Sequence, residues 1–477
     1  MAHTRQLVAP KGTGALLSCA LSPHDGGASL AVGGENAAAL VFDLRGAHLV
    51  AHRLTAAAGC FDREDAVPCV SYNLAAPHAL YCASGRVVTA WDVRRLPGAA
   101  DARVRVGCVA GAAKSAPPTH PAEHGVYDDG ANDANDANRV STRVSRAQSS
   151  SISGAIDTYA HNADEINHFV IDAVGACLYA ADDNCEVTVV DVAKNERLKT
   201  LRFDGHESFV SCVALRGHKP REVVSGGLDA RVCVWDRDKA AAVRRWSVNE
   251  LVAAADAAEA SKFSPTENGE EGGANDEAAR QTNPSRMMNP PFVHCVATWA
   301  CARAPTHAHT RRLAAAACGD GTVALVDLDA PKSDASGKKK KKKKNTSSSE
   351  TTSERPGGAR GDALGGLPAV FLGRGARGGA HASAASHVAF PGWGDGDVVV
   401  SGGNDRAIKA WRWNDVENRA SHPADAEGAF SAFTARHGKK VNWIAHAETR
   451  EACPGGGHVF VADTSETVAV YDANAYA

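Results

Sequence analysis

The sequence predicts an all-β protein, a seven-bladed β-propeller with disordered inserts between its blades. Two observations carry that reading. A strand–turn–strand outline recurs seven times along the 477 residues, twice with the same Ser–Asp–Trp spacing. Four low-complexity segments interrupt it, and without them 325 residues remain, about 46 per repeat. One four-stranded blade takes about 40–45 residues. Composition agrees: hydrophobic residues reach 44%, Gly numbers 45 and aromatics are only 6%, a balance that favours many short strands and turns over long helices.

Taken in chain order, the first repeat (about 12–54) reads LLSCALSP, then LAVGGENAAALVFDL, with Phe42-Asp43 ending its third strand. The second (60–96) reads VPCVSYNL, then ALYCASGRVVTAWDV, ending in Trp91-Asp92. The third (155–203) reads HNADEINHFVID, then CLYAADDNCEVTVVDV. The fourth (204–248) is the clearest. Between Gly205-His206 and Trp235-Asp236 lie two alternating apolar runs and a tight-turn signal, Gly227-Leu228-Asp229-Ala230. That order is the signature of a WD repeat. The fifth repeat (291–329) reads FVHCVATWA, then LAAAACGDGTVALVDL. The sixth (367–413) repeats the fourth's ruler: Ser225 to Asp229 and Ser401 to Asp405 are both four residues, and Asp229 to Trp235 and Asp405 to Trp411 are both six. The seventh (429–477) reads HGKKVNWIAH, then VFVADTSETVAVYD.

Within each copy the side-chain period is two, so Val232 and Val234 face one way and Cys233 and Trp235 the other. One blade cannot bury both its faces, so the seven must stack into a ring. The chain stops five residues after Asp472, leaving the seventh repeat without an outer strand. The strand at 4–9 is expected to close the ring by pairing onto that last blade.

The inserts span 97–154, 249–290, 330–366 and 414–428, of 58, 42, 37 and 15 residues. Segments such as GANDANDAN and TSSSETTSE cannot bury enough apolar surface to offset chain entropy, and disorder is expected there. All four are expected to leave a repeat after its third strand, before or around its outer strand, decorating the rim. The third carries the run Lys338–Lys344. Without its seven lysines, 45 basic residues face 55 acidic ones, so the rest of the chain carries −10. An acidic body argues against a nucleic-acid footprint on the folded part. No apolar run approaches the ~18 residues of a membrane span, and the N-terminus has no signal-peptide core.

Three groups of residues invite a chemical reading. His206, Ser225, Asp229 and Trp235 resemble a Ser/His/Asp catalytic set, but His381, Ser401, Asp405 and Trp411 repeat it on another blade. An enzyme has no need of two such sets, so both are read as structural tetrads and no catalytic residue is assigned. His294, Cys295, Cys301, His307 and His309 cluster without a standard zinc-ligand spacing, so no metal or other cofactor is expected. The 13 cysteines are scattered and lack any Cys-x-x-Cys, which reads as small buried hydrophobes in a reducing compartment. The lysine run serves as a solvated charge tract or a nuclear import signal, giving a cytoplasmic or nuclear expectation.

The third group is Trp91-Asp92-Val93-Arg94, which puts an arginine just past a third strand, on a propeller face. It is similar to the WD-x-Arg docking motif of WD-repeat substrate receptors for cullin-4 ubiquitin ligases, and this similarity assigns partner binding to Trp91, Asp92 and Arg94. Trp235-Asp236-Arg237-Asp238 and Trp411-Arg412 do not fit it, leaving one qualifying blade. Beyond this, HNADEIN (161–167), SGGLDARVCVW (225–235), GGNDRAIKAW (402–411), HGKKVNW (437–443) and VADTSETVAVY (461–471) resemble the WD repeat-containing protein 53 family. That resemblance implies a non-enzymatic, monomeric scaffold with protein partners, a proposed substrate receptor of a cullin-4 ligase. The alternative is a generic scaffold or peptide reader that uses the mouth of the central channel.

Overall fold

The computed structural model describes residues 2–45, 50–55, 60–62, 65–96, 154–254, 289–301, 303–330, 364, 368–373, 380–413, 433–449, 451, 453 and 457–473. Their strands form seven four-stranded antiparallel sheets, and six of these are built from strands in sequence order. The inner strands are Leu16–Leu21, Cys69–Asn73, Ile166–Ile171, Val210–Leu215, Val293–Thr298, Ala385–Ala389 and Val441–His446. Each touches the next, and the last touches the first, so the sheets close into a ring around these strands. They are called blades 1 to 7.

The seventh sheet is completed from the other end of the chain. Ala2–Val8 pairs antiparallel with Thr467–Asp472, from Ala2 opposite Asp472 to Val8 opposite Thr467. Leu7 of this strand is fully buried among blade 1 and blade 7 residues such as Leu16, Leu40, Phe460 and Val468. The ring is thus shut by one ladder joining the two ends of the chain.

Two devices hold neighbouring blades together. All but one of the inner strands carry a bulge after the first residue, which frees a side chain from its own ladder. In four blades that residue reaches the next blade's inner-strand carbonyl. Asn167 donates to Val210 (3.1 Å), Ser211 to Val293, Ser386 to Val441 and Asn442 to Leu16 (2.8 Å). The second device is the first glycine of the Gly-Gly pairs. A Cβ on Gly33, Gly226 or Gly402 would collide with Val67, Val293 or Val441 of the following blade. Glycine there lets the blades approach.

The cysteines also have a repeat position. Cys69 and Cys295 stand at the same inner-strand site and donate to Phe169 (3.7 Å) and Val388 (3.6 Å) of the next blade, and Cys212 occupies it in blade 4. Burial pushes the Cys69 thiol up to about 12, so these thiols behave as packing groups rather than nucleophiles.

Strand pairing corrects the repeat boundaries in three places. Ala155–Tyr159, assigned above to the third repeat, is the outer strand of blade 2 and pairs with Val87–Asp92. Ala369–Leu372 and Phe433–Arg436 complete blades 5 and 6 as outer strands beyond an insert, the place expected for them, so the repeat bounds drawn at 367 and 429 start one strand too early. The second insert follows the outer strand of blade 4, Ala241–Ser247, instead of preceding it. It also begins with a helical segment, 248–254, whose Val248, Leu251 and Val252 pack between blades 4 and 5 where disorder was expected. A short apolar strand beside an insert can pair with either flanking sheet, and only the ladder decides which. Apart from residues 154, 330 and 364, the first and third inserts lie outside the described residues, as do Lys338–Lys344 and all of the fourth.

Candidate functional site

The two tetrads have one geometry. In blade 4, His206 Nδ1 lies 2.9 Å from Asp229, His206 Nε2 lies 2.7 Å from Ser225 Oγ, and the Trp235 indole donates to that oxygen at 2.7 Å. In blade 6 the matching distances are 2.9, 2.8 and 2.8 Å for His381–Asp405, His381–Ser401 and Trp411–Ser401. A Ser/His/Asp relay is present, but its serine is no nucleophile. Ser225 and Ser401 have 0% exposure, and each Oγ already accepts an indole N–H while donating to imidazole. Burial would raise the Asp229 and Asp405 carboxyls. The histidine and amide N–H groups outweigh it, and both sit below the usual carboxylate range. The space is shaped for these residues: a Cβ on Gly205 would run into the Trp235 ring, and one on Gly227 would meet His206 at 2.5 Å.

The structure adds variants that a Ser–Asp–Trp ruler could not find. In blade 7, His437 sits in the same slot, with Nδ1 2.7 Å from the Tyr471 hydroxyl and Nε2 2.8 Å from Asp463. Val461 replaces the serine, and the carboxylate stands two residues earlier than in blade 4, opposite Val441 as Gly227 is opposite Val210. In blade 3 the slot holds Asn162, not His161, and Asn162 donates to Asp182 at 2.9 Å.

Trp91 is buried like Trp235, but Cys82 occupies the serine position of blade 2 and the indole N–H has no partner among the described residues. Asp92 caps a 3-10 turn, Val93–Arg95, accepting the Arg94 amide at 3.0 Å. The Arg94 guanidinium folds back onto the same carboxylate through Nε (3.0 Å) and Nη2 (2.8 Å) and holds the Asp92 carboxyl down at about 2. Its side chain remains 62% exposed. The clamp recurs one blade earlier. Arg45 donates to Asp43 through its amide (2.9 Å) and Nε (3.1 Å), at the end of a third strand that closes in Phe42 instead of Trp. A search requiring Trp missed it, because the aromatic ring is buried structure and the Asp-x-Arg step alone makes the clamp. Third strands run in the same direction round the ring, so Arg45 and Arg94 stand side by side on one face. That face also carries the turns joining first and second strands.

On the same face a cavity of about 380 Å³ opens at the channel, between inner strands of blades 7, 1, 2 and 3. Trp443 forms its floor, with ring centroids 5.3 Å from His168 and 4.2 Å from His387. Burial holds His168 down at about 4 and, with the neighbouring His168 and His446, holds His387 at about 3. The metal candidates are not brought together. Cys295 bonds to blade 6, His307 faces Asp397 at 3.8 Å, and no group of three or more His, Cys, Asp or Glu suited to a metal ion occurs among the described residues.

Seven four-stranded sheets in a ring, with His/Ser/Asp/Trp tetrads inside blades 4 and 6, define a seven-bladed β-propeller of the kind WD repeats build. The family model for the WD domain, G-beta repeat, matches residues 195–236, the outer strand of blade 3 and the first three strands of blade 4. The chain is similar to the WD repeat-containing protein 53 homolog of Dictyostelium discoideum, 24% identical over 174 residues. The match covers 36% of this chain and 41% of that protein's length. Such propellers are typically non-enzymatic scaffolds for protein interaction, and no helix among the described residues is long and apolar enough to cross a membrane.

Proposed function

We propose that this propeller is a substrate receptor that docks onto the propeller adaptor of a cullin-4 ubiquitin ligase through Trp91, Asp92 and Arg94. The observation that carries the reading is the clamp: Asp92 fixes an exposed guanidinium at a blade edge before any partner arrives, which lowers the entropy cost of using it in an interface. Arg45, clamped in the same way on the adjacent blade, extends the contact. Trp91 acts from inside the blade, positioning the turn. A pull-down of the adaptor with wild type, Arg94→Ala and the Arg45→Ala/Arg94→Ala pair tests this. Binding should weaken with the single change and be lost with the double; binding unaffected by either, or absent from wild type, sinks the receptor reading.

A second reading rests on the channel cavity with its Trp443 floor, which suits a peptide side chain and a scaffold role without a ligase. Nuclear import through Lys338–Lys344 is a separate proposal. Changing that run to alanines should shift a fluorescent fusion out of the nucleus.

A further inference from the structure

Blade 7 lacks one group that blades 4 and 6 possess, and a cleft opens where it is missing. In blades 4 and 6 the residue after the buried histidine donates its amide to the turn carboxylate: Glu207 to Asp229 (3.0 Å) and Ala382 to Asp405 (3.0 Å). In blade 7 the ladder puts Ser465 at that turn position. The displaced carboxylate, Asp463, is already engaged by His437 at 2.8 Å, by the Ser465 amide at 2.6 Å and by the Ser465 hydroxyl. The Gly438 amide therefore donates to nothing among the described residues.

The cleft, about 340 Å³, is lined there by Gly438, Arg436, Lys439, His3, Ser465 and Thr467, with Asp463 in its floor. Arg436, Lys439 and the adjacent Lys440 are exposed and have no carboxylate partner among the described residues. In blade 4 Glu207, the counterpart of Gly438, pairs with Arg231, the counterpart of Thr467, at 2.7 Å. Here Gly438 replaces the acid, and the space where its Cβ would lie is empty to 4 Å. Unmatched cations around an unpaired amide, on a body that is otherwise acidic, suit an anion despite the Asp463 carboxylate, which His437 and Ser465 already engage.

We propose that this cleft binds a phosphoryl group carried on a serine or threonine of a protein segment. One oxygen accepts the Gly438 amide, standing in for the turn carboxylate of blades 4 and 6, and the others face Arg436, Lys439 and His3. A dianion with three acceptor oxygens matches these donors better than a single carboxylate does. Gly438 precedes an inner strand and Arg94 follows a third strand, so the site lies on the opposite face from Arg94 and is independent of the docking reading.

The test uses the full chain with inorganic phosphate, then a phosphoserine peptide and its unphosphorylated form, at constant ionic strength. Phosphate and the phosphopeptide should raise Tm with concentration, and calorimetry should find no binding of the unphosphorylated peptide. Arg436→Ala/Lys439→Ala should weaken phosphopeptide binding about tenfold or more with the ligand-free Tm unchanged. Ser465→Asp, which restores the turn carboxylate, should also remove binding without lowering Tm. Equal affinity in the Arg436/Lys439 variant, or no response to either phosphorylated probe, overturns the site. Phosphate binding without phosphopeptide binding overturns its assignment to a protein segment.

Discussion

Blades 4 and 7 follow the same strand plan and bury a histidine at the same place, yet they are finished differently. Blade 4 takes its four strands in order from one stretch of chain and meets His206 with a serine and a turn aspartate. Blade 7 borrows its outer strand from the N-terminus and meets His437 with a tyrosine and a displaced aspartate. The difference teaches what this slot must keep physically: both ring nitrogens of His206 and of His437 find partners, because an unpaired one costs about 1–3 kcal/mol. Which residues supply them is free to change. When they change, a donor such as the Gly438 amide is released for other use.

The largest expected effect lies at the borrowed strand. Deleting residues 1–10 exposes the Thr467–Asp472 edge and removes the buried Leu7 and the ladder of Ala2–Val8. It should cost about 5 kcal/mol and lower Tm markedly; an unchanged Tm would mean that blade 7 does not depend on its borrowed strand.

Next in size is a pH effect centred on blade 7. Its inner strand places Trp443 against His168 and His387, where blade 4 has Cys212. Both histidines have folded pKa values below the unfolded 6.5, so below pH 6.5 the unfolded chain binds protons that the folded chain refuses. Stability is therefore full above 6.5 and is lost as pH falls towards 4 and then 3. About 3 kcal/mol should go between pH 6.5 and 5. A His168→Gln/His387→Gln variant should flatten that slope in pH-dependent denaturation, and an unaltered slope would place the titrating groups elsewhere.

The smallest effect compares the two turns directly. Asp229→Ala strips partners from His206 and the Glu207 amide at once and should cost about 2 kcal/mol. Ser465→Ala at the matching position should cost less than about 1 kcal/mol, since His437 keeps both partners. Equal losses in urea titrations would show that the turn residue matters alike in both blades.

Much of this architecture was legible in the chain. Strand alternation, the Trp-Asp ends and the four-and-six ruler located the blades, because a tetrad buried in a fixed turn tolerates no change of spacing. The blade 7 network escaped the ruler, because moving the carboxylate from the turn to Asp463 alters the spacing while preserving the hydrogen bonds. Arg45 escaped because its clamp depends on Asp43 and not on the aromatic residue before it. The outer strand of blade 2 was assigned to the wrong repeat for a different reason. A four- or five-residue apolar strand carries no local record of which sheet edge it joins.

The sequence by itself determined the number of blades, the buried tetrads and the Trp91–Arg94 step, since these depend on residue type and near-neighbour spacing. The tertiary structure alone decided that Ala155–Tyr159 joins blade 2, how inner-strand side chains latch successive blades, and that Gly438, Arg436 and His3 meet at one cleft. Those contacts join residues far apart in the chain, and only ring closure sets their distances.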